Sequence, residues 1–400
     1  MTNNNVATDL PLVGVRVLDF SQGIAGPYCA SILQQQGAEV IKVEPPGGDW
    51  ARATSHVRDG FTAVVLAYNA GKPSLAVDAS HAAGQAALRR MASGVDVVVQ
   101  NFRPGVMDRL GLGYGALATS NPRLVYVSIS GFGTQGELAR RPATDNVLQA
   151  MSGMMFANRD AQGQPQKIGL YVADIAVAMY ASQLACAALF ACARSGRGRH
   201  VELSMLEACA AFQASAILDS RFAQGGPPPR TSTAPSGVFA TQDGFISLAT
   251  LDNAMFRRLS EVLGLPEWME DARFGSNAAR LQHAQVLNAQ VAGLLVAQTS
   301  AAWQARLTHA DILHAPVLDY PQLLANPELR TAMVFDEVHM PGVAEPFPRA
   351  RHPGVSGPVQ ALQARRVGED SVDVLTRCGF SAAEIGELVA SGALRVASAG

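Results

Sequence analysis

Short apolar runs rich in β-branched residues recur along the first two hundred positions, each followed by a stretch with helical spacing. "VRVLDFSQ" carries such a run from Val15 to Phe20 and then turns polar, which predicts a buried strand entering a turn. "GPYCASILQQQGAEVIKVEPP" has helical spacing up to Gly37 and a second strand from Glu39 to Val43, a βαβ unit of about thirty residues. The pattern then repeats. "SLAVD" reads as a strand, "HAAGQAALRRMASG" as a helix closed by Gly94, and "VDVVVQN" and "LVYVSISGFG" as two more strands. Strands alternating with helices predict an α/β fold with a mostly parallel sheet. Ligands of such sheets bind beyond the carboxyl ends of the strands, so the turns "SQGIAGP", "NFRPG" and "SGFGTQG" are the first places to look.

The run "KIGLYVADIAVAMYASQLACAALFACARSGRG", Lys167 to Gly198, is long enough to span a membrane. It nevertheless holds Asp174, Ser182 and Gln183, is rich in alanine, and lacks aromatic belts at both ends, so a helix buried on most sides is expected. "GRHVELSMLEA" adds a strand and a helix up to about Ser220. Gly225 to Pro229, Gly-Gly-Pro-Pro-Pro, then marks a linker. The expected organisation is a large domain over residues 1–224, a smaller and mostly helical one over 230–325, and a segment over 326–400 that returns to the first. The small domain opens with a hairpin turning at Gln242-Asp243-Gly244.

Composition narrows the function. The chain has 400 residues, of which 48% are hydrophobic and 16% charged, as a globular protein would have. Lys and Arg number 31 against 33 Asp and Glu, which argues against nucleic acid as a partner. The five cysteines, Cys29, Cys186, Cys192, Cys209 and Cys378, form no CxxC pair, and no secretory signal is visible; a reduced, cytoplasmic setting is expected. The histidines show no spacing for a metal, and no GxSxG nucleophile elbow is present. Lys72, Arg103 and Arg109 lie on successive loops of one predicted sheet edge, a setting that suits a phosphate-bearing ligand. Each alone reads as a surface charge.

Asp174 is the only charged side chain between Lys167 and Arg194. Two readings remain open. An acid before an apolar helix is an ordinary N-cap. A carboxylate held ionised at a helix end, among apolar neighbours, can also attack an acyl centre and form a mixed anhydride.

Taken in order, "LDFSQGIAGPYCASILQQQGAEVIKVEPPGGDWAR", "NAGKPSLAVD", "NFRPGVMDRLGLGY", "VSISGFGTQG", "RPATDNVLQAMSGMM", "VADIAVAMYA", "GRGRHVELSMLEA", "GVFATQDGFISLA" and "GEDSVDVLTRCGFSAAEIGEL" resemble the family III CoA-transferases, the CaiB/BaiF type. The resemblance implies a large Rossmann-like domain with a mostly parallel sheet, a smaller α+β domain, and an interlaced homodimer. It implies acyl-CoA as substrate, no tightly bound cofactor, and CoA transfer to a carboxylic acid through an aspartyl intermediate. Asp174 matches the family's catalytic aspartate and Asp145 a supporting acid. The matching CoA contacts are Gly23, Ile24, Ala25, Lys72, Asn101, Phe102, Arg103 and Arg109. Racemase relatives carry a His where this chain has Thr144, and a hydroxyl is no base near neutral pH, which favours transfer over racemisation. The glycine-rich loop of formyl-CoA transferase has no counterpart, which speaks against formyl or oxalyl substrates. A short dicarboxylate is expected instead, its second carboxylate held by Arg140, Arg141 or His200. The alternatives are an acyl-CoA racemase and a CoA-binding protein in which Asp174 is only a cap.

Overall fold

A computed structural model describes residues 10–54, 56–160, 162–222 and 231–397. The chain forms two compact units, the first ending at Phe222 and resuming at Met333, the second ending at Ala332. The Gly225–Pro229 linker lies outside the described residues. Helix Pro327–Ala332, expected with the returning segment, belongs to the second unit, where it packs against helix Tyr320–Ala325.

The first unit is built on a seven-stranded sheet. Its strands are β1 (Arg16–Asp19), β2 (Glu39–Glu44), β3 (Ser74–Val77), β4 (Val97–Gln100), β5 (Val125–Ser130), β6 (Arg199–Ser204) and the short Leu394–Arg395. Across the sheet they run Leu394–Arg395, β3, β2, β1, β4, β5, β6. All neighbours are parallel except Leu394–Arg395, which pairs antiparallel with β3. The order reverses between β1 and β4, so a crevice opens there at the carboxyl ends of the strands.

Strands β3 and β4 are buried along their whole length because helices cover both faces of the sheet. On one face, helices Ala25–Gln35 and Val172–Ser195 pack on Val17, Val97, Val99, Val127 and Ile129. The longer helix buries Ala173, Ala176, Val177, Ala181, Ala185 and Ala188, a stripe at helical spacing whose small side chains let it lie close to the sheet. It is long and apolar enough by composition to cross a membrane, yet this stripe is part of the core. Its C-terminus is closed by Gly196 in the left-handed region, φ 72°, where glycine is favoured. On the other face, helices Ala82–Ala92, Ser371–Arg377 and Ala382–Ala390 cover Leu18, Ile41, Leu75, Val98 and Tyr126.

A second sheet of this unit joins Phe335–His339 to antiparallel Phe347–Ala350 and parallel Ala361–Gln363. The second unit holds its own core, in which Phe256, Trp268 and Phe274 stack beside the buried Arg280, whose guanidinium lies 4.4 Å above the Phe256 ring. Its hairpin, Ser236–Ala240 with Phe245–Ala249, gains a third strand from Leu313–Pro316, so the unit is α+β.

Candidate functional site

The crevice is walled by the turns that follow β1 and β4. Asn101 ties them together: its Oδ1 accepts from the Gln22 N–H at 2.8 Å and its Nδ2 donates to the Gln22 carbonyl at 2.7 Å. The next N–H, that of Gly23, donates to Asp49 Oδ1 at 3.0 Å. Gly23 has φ 78°, and a Cβ there would fall 2.2 Å from the Trp50 ring, so only glycine fits this turn.

Beneath these turns lies a cavity of about 420 Å³. It is lined by Ile24, Ala25, Asn101, Phe102 and Arg103 from the two turns and by Asp145 and Asp174 from the far wall; Arg141, Lys167 and Tyr171 also reach it. The structure thus brings together five of the eight expected CoA contacts and both expected acids. Gly23, Lys72 and Arg109 do not line the cavity. Of the residues considered for a second carboxylate, Arg141 lines it, Arg140 does not, and His200 lies in a neighbouring cavity.

Asp174 stands in the first turn of Val172–Ser195 but does not cap that helix. Asp145 does, reaching across from helix Asp145–Met151. Its Oδ1 accepts from the Ala173 N–H at 2.8 Å and, more distantly, from the Asp174 N–H at 3.4 Å. Gln149 Nε2 donates to Asp145 Oδ2 at 2.6 Å and to the Leu170 carbonyl at 3.0 Å, which fixes Asp145 in place. The helix end therefore does not hold Asp174 ionised, as the sequence suggested. Burial, and then the charge of Asp145, push the Asp174 carboxyl up to about 7. Thr144, where the racemase relatives carry His, caps helix Asp145–Met151 through its side chain to the Val147 N–H.

Lys72 is not a surface charge. Its ammonium is enclosed, donating to Asp19 Oδ2 and the Pro27 carbonyl at 2.8 Å and to Asn69 Oδ1 at 3.0 Å. It braces the end of β1 against the start of Ala25–Gln35. Lys42 continues the network, bonding the Ser21 carbonyl and lying 3.3 Å from Asp49. Glu44 closes it, accepting from the Asp49 N–H at 2.9 Å and from Arg52 Nε at 2.7 Å. Burial raises the Asp19 carboxyl, but Lys42 and Lys72 outweigh it and hold the group below its ordinary value. Burial pushes Lys72 down to about 8, Asp19 opposing and Lys42 adding to the shift. The two partners thus shift in ways that do not simply mirror each other, and the 2.8 Å contact decides for an intact ion pair at pH 7.

Sequence reasoning missed Lys42, Glu44 and Asp49. The signal was present, since a central parallel strand reads as a continuous apolar run and "EVIKVE" is interrupted by charge. Arg109 is exposed on the short helix Val106–Arg109, its guanidinium beside Gly105. Among the described residues, no three His, Cys, Asp or Glu side chains converge as a metal ion would need.

The family model for CoA-transferase family III matches residues 12–367. A succinate–glutarate CoA-transferase of Agrobacterium fabrum is 37% identical over 286 residues, 68% of this chain and 71% of its own. An acetyl-CoA:oxalate CoA-transferase of Acetobacter aceti is 36% identical over 73% of this chain and 77% of its own. A succinyl-CoA–D-citramalate CoA-transferase of Chloroflexus aurantiacus is 33% identical over 84% and 85%. The crystal structure of a CaiB/BaiF family protein from Brucella suis superposes with a TM-score of 0.81 at 29% identity, covering 92% of this chain and 99% of that one. The chain therefore belongs to the family III CoA-transferases, enzymes whose substrates are CoA thioesters.

Proposed function

We propose that this enzyme moves CoA between an acyl-CoA and a short dicarboxylic acid, with Asp174 as the nucleophile. The observation that carries this reading is an acid facing the cavity whose capping role another residue has taken. Asp174 is left uncompensated because Asp145 holds the helix N–H groups. A carboxylate so placed is desolvated, and its reactivity is not spent on a structural bond.

In the first step the Asp174 carboxylate attacks the thioester carbonyl, and the carbon–sulfur bond breaks to release CoA thiolate, leaving an acyl-aspartyl anhydride. The thiolate then attacks the aspartyl carbonyl, releasing the first acid and forming an aspartyl-CoA thioester. The acceptor carboxylate repeats the sequence in reverse and leaves as its CoA thioester, with Asp174 regenerated. No proton is transferred overall. Helix Ala25–Gln35 has no side-chain cap at Ile24, so the free N–H groups of its first turn, at the cavity wall of Ile24 and Ala25, suit the developing oxyanions. The Asn101-Phe102-Arg103 loop and the exposed Arg109 suit the CoA phosphates. Lys72 supports this function from below, by fixing the turn after β1.

The dicarboxylate rests on the relatives named for succinate, glutarate, citramalate and oxalate, and on Arg141 and Lys167 at the cavity wall. The oxalate relative keeps oxalate among the candidates, against the expectation drawn from the missing glycine-rich loop. Thr144 offers no base for racemisation, and its side chain is engaged as a cap. A homodimer is supported by the apolar side chains left exposed on Val172–Ser195 and its neighbours: Met179, Leu184, Phe190, Phe212 and Leu218. A cytoplasmic setting is supported by five unpaired thiols.

The test is to load the enzyme with a mixture of short acyl-CoAs, reduce with borohydride and map modified peptides by mass spectrometry. Reduction confined to Asp174 and dependent on acyl-CoA is the expected result. An unmodified Asp174 in protein that demonstrably binds CoA would overturn the nucleophile.

A further inference from the structure

Beside the crevice, on the other side of the loop after β4, lies a second cavity of about 220 Å³. Phe102, Arg103 and Pro104 line both. The second cavity is floored by side chains from three adjacent strands, since Gln100 pairs with Ser128, and Tyr126 with His200, across β4, β5 and β6. Gln100 and Ser128 are each more than nine-tenths buried.

A single backbone group fixes how these side chains are bonded. The Phe102 N–H can only donate, and it meets Gln100 Oε1 at 2.8 Å. The amide nitrogen of Gln100 therefore faces the other way, donating to Ser128 Oγ at 2.8 Å. Ser128 Oγ lies 2.8 Å from His200 Nε2, a bond whose donor is set by the tautomer of the ring. In the relay inferred below the hydroxyl donates, and His200 is a neutral ring that accepts at Nε2 and carries its proton on Nδ1. The ring is held by Tyr114, stacked with centroids 4.9 Å apart, and by Tyr126, edge-on at 5.3 Å. Two acids face it: Glu202, 3.9 Å from Nδ1, and Asp108 across the cavity.

We infer that His200, Ser128 and Gln100 form an oriented relay that positions the Asn101-Phe102-Arg103 loop for CoA. This rests on the reading that the loop contacts CoA. The reason lies in the symmetry of an amide. Gln100 could turn over, presenting its nitrogen to the Phe102 N–H, donor against donor. An acceptor at His200 adds to the constraint from the Phe102 N–H: it holds the Ser128 hydroxyl pointing away, so that Ser128 accepts from Gln100 Nε2 and Oε1 faces the loop. Without the ring, Ser128 can donate to Gln100 instead, the amide turns, and the Phe102 N–H loses its acceptor. The loop then keeps Asn101 on its other side and the Val106 N–H on the Arg103 carbonyl. His200 touches neither loop nor ligand in this scheme; it is a positioning residue.

The test measures CoA binding by calorimetry, and the ring nitrogens by NMR, in the full-length protein. His200→Phe and Ser128→Ala should each weaken CoA binding about fivefold, the worth of one hydrogen bond. The double variant should be no weaker than either single one, because both break the same chain. His200→Gln, which can keep an acceptor at the end of the relay, should recover most of the loss. The wild-type ring should carry its proton on Nδ1. In activity assays the defect should fall mainly on KM for acyl-CoA, which a general loss of folded protein would not produce. Singles that bind CoA within twofold of wild type, losses that add, or a proton on Nε2 would overturn the relay. A wild type that fails to bind CoA, with the Nδ1 tautomer present, would instead overturn the CoA reading of the loop while the bond order stands.

Discussion

Two acids stand near the crevice in opposite circumstances. Asp19, at the end of β1, is enclosed with two ammonium groups and has its carboxyl held below the ordinary value. Asp174, on the opposite wall, has no cation paired with it among the described residues and a like charge nearby, and its carboxyl rises to about 7. The same residue type is a brace on one side and the proposed nucleophile on the other. What separates them is which partners the fold supplies: compensation makes a buried charge structural, and withholding it keeps the charge available for chemistry. Asp145 lies between these cases, since it takes the helix N–H groups that would otherwise stabilise Asp174.

The contrast is broken most severely by removing the proposed nucleophile. Asp174→Ala should lower the transfer rate by a thousandfold or more, on the order of the loss for a covalent nucleophile, with CoA binding retained in calorimetry. Removing the brace acts on stability instead. Lys72→Met leaves Asp19 buried without its partner and should cost about 3–5 kcal/mol in urea unfolding. A variant that folds with wild-type stability but binds CoA poorly would return Lys72 to direct ligand contact.

Asp174→Asn should sharpen the comparison in the opposite direction. A carboxyl whose folded value is raised from 3.8 to about 7 binds its proton more tightly in the folded state, so stability falls as pH rises between those values. The Asn variant escapes that loss. It should be about 4 kcal/mol more stable than wild type at pH 8, and the difference should vanish below pH 4. Equal stability at pH 8 would mean that Asp174 is not strained. The smallest effect concerns Asp145. Asp145→Asn removes the like charge, so the rise of wild-type activity through about pH 7 should move to lower pH, with about 1 kcal/mol lost from the weaker cap. An unmoved profile would remove Asp145 from the electrostatics of the site.

Much of this was legible in the sequence where local periodicity governs. Runs such as "VDVVVQN" become strands because both faces of the sheet are covered, and the ligand turns follow from parallel topology. The roles of Lys72 and Asp174 were not legible in the same way. In isolation Lys72 sits in a turn like any surface lysine; only the approach of Asp19 and Asn69 encloses it. Asp174 occupies a position that local rules assign to a cap, and the residue that takes the cap comes from a helix well upstream. His200 was read as a possible carboxylate holder because its bond to Ser128 needs the register of β5 and β6. The sequence "FDEVHMPG" reads as strand-like, but the sheet it joins was not legible because its strands are only 5, 4 and 3 residues long.

The strand Leu394–Arg395 has a consequence for the order of assembly. It closes the β3 edge, and Val374, Leu375, Ile385 and Leu388 just before it cover one face of a sheet begun at Arg16. During synthesis that face stays bare until the last part of the chain emerges. The second unit, with its own core, is complete well before then. The interrupted domain is thus begun before the second unit and finished after it, and a chain cut short before Ser371 would leave the ribosome with the strands begun at Arg16 still exposed.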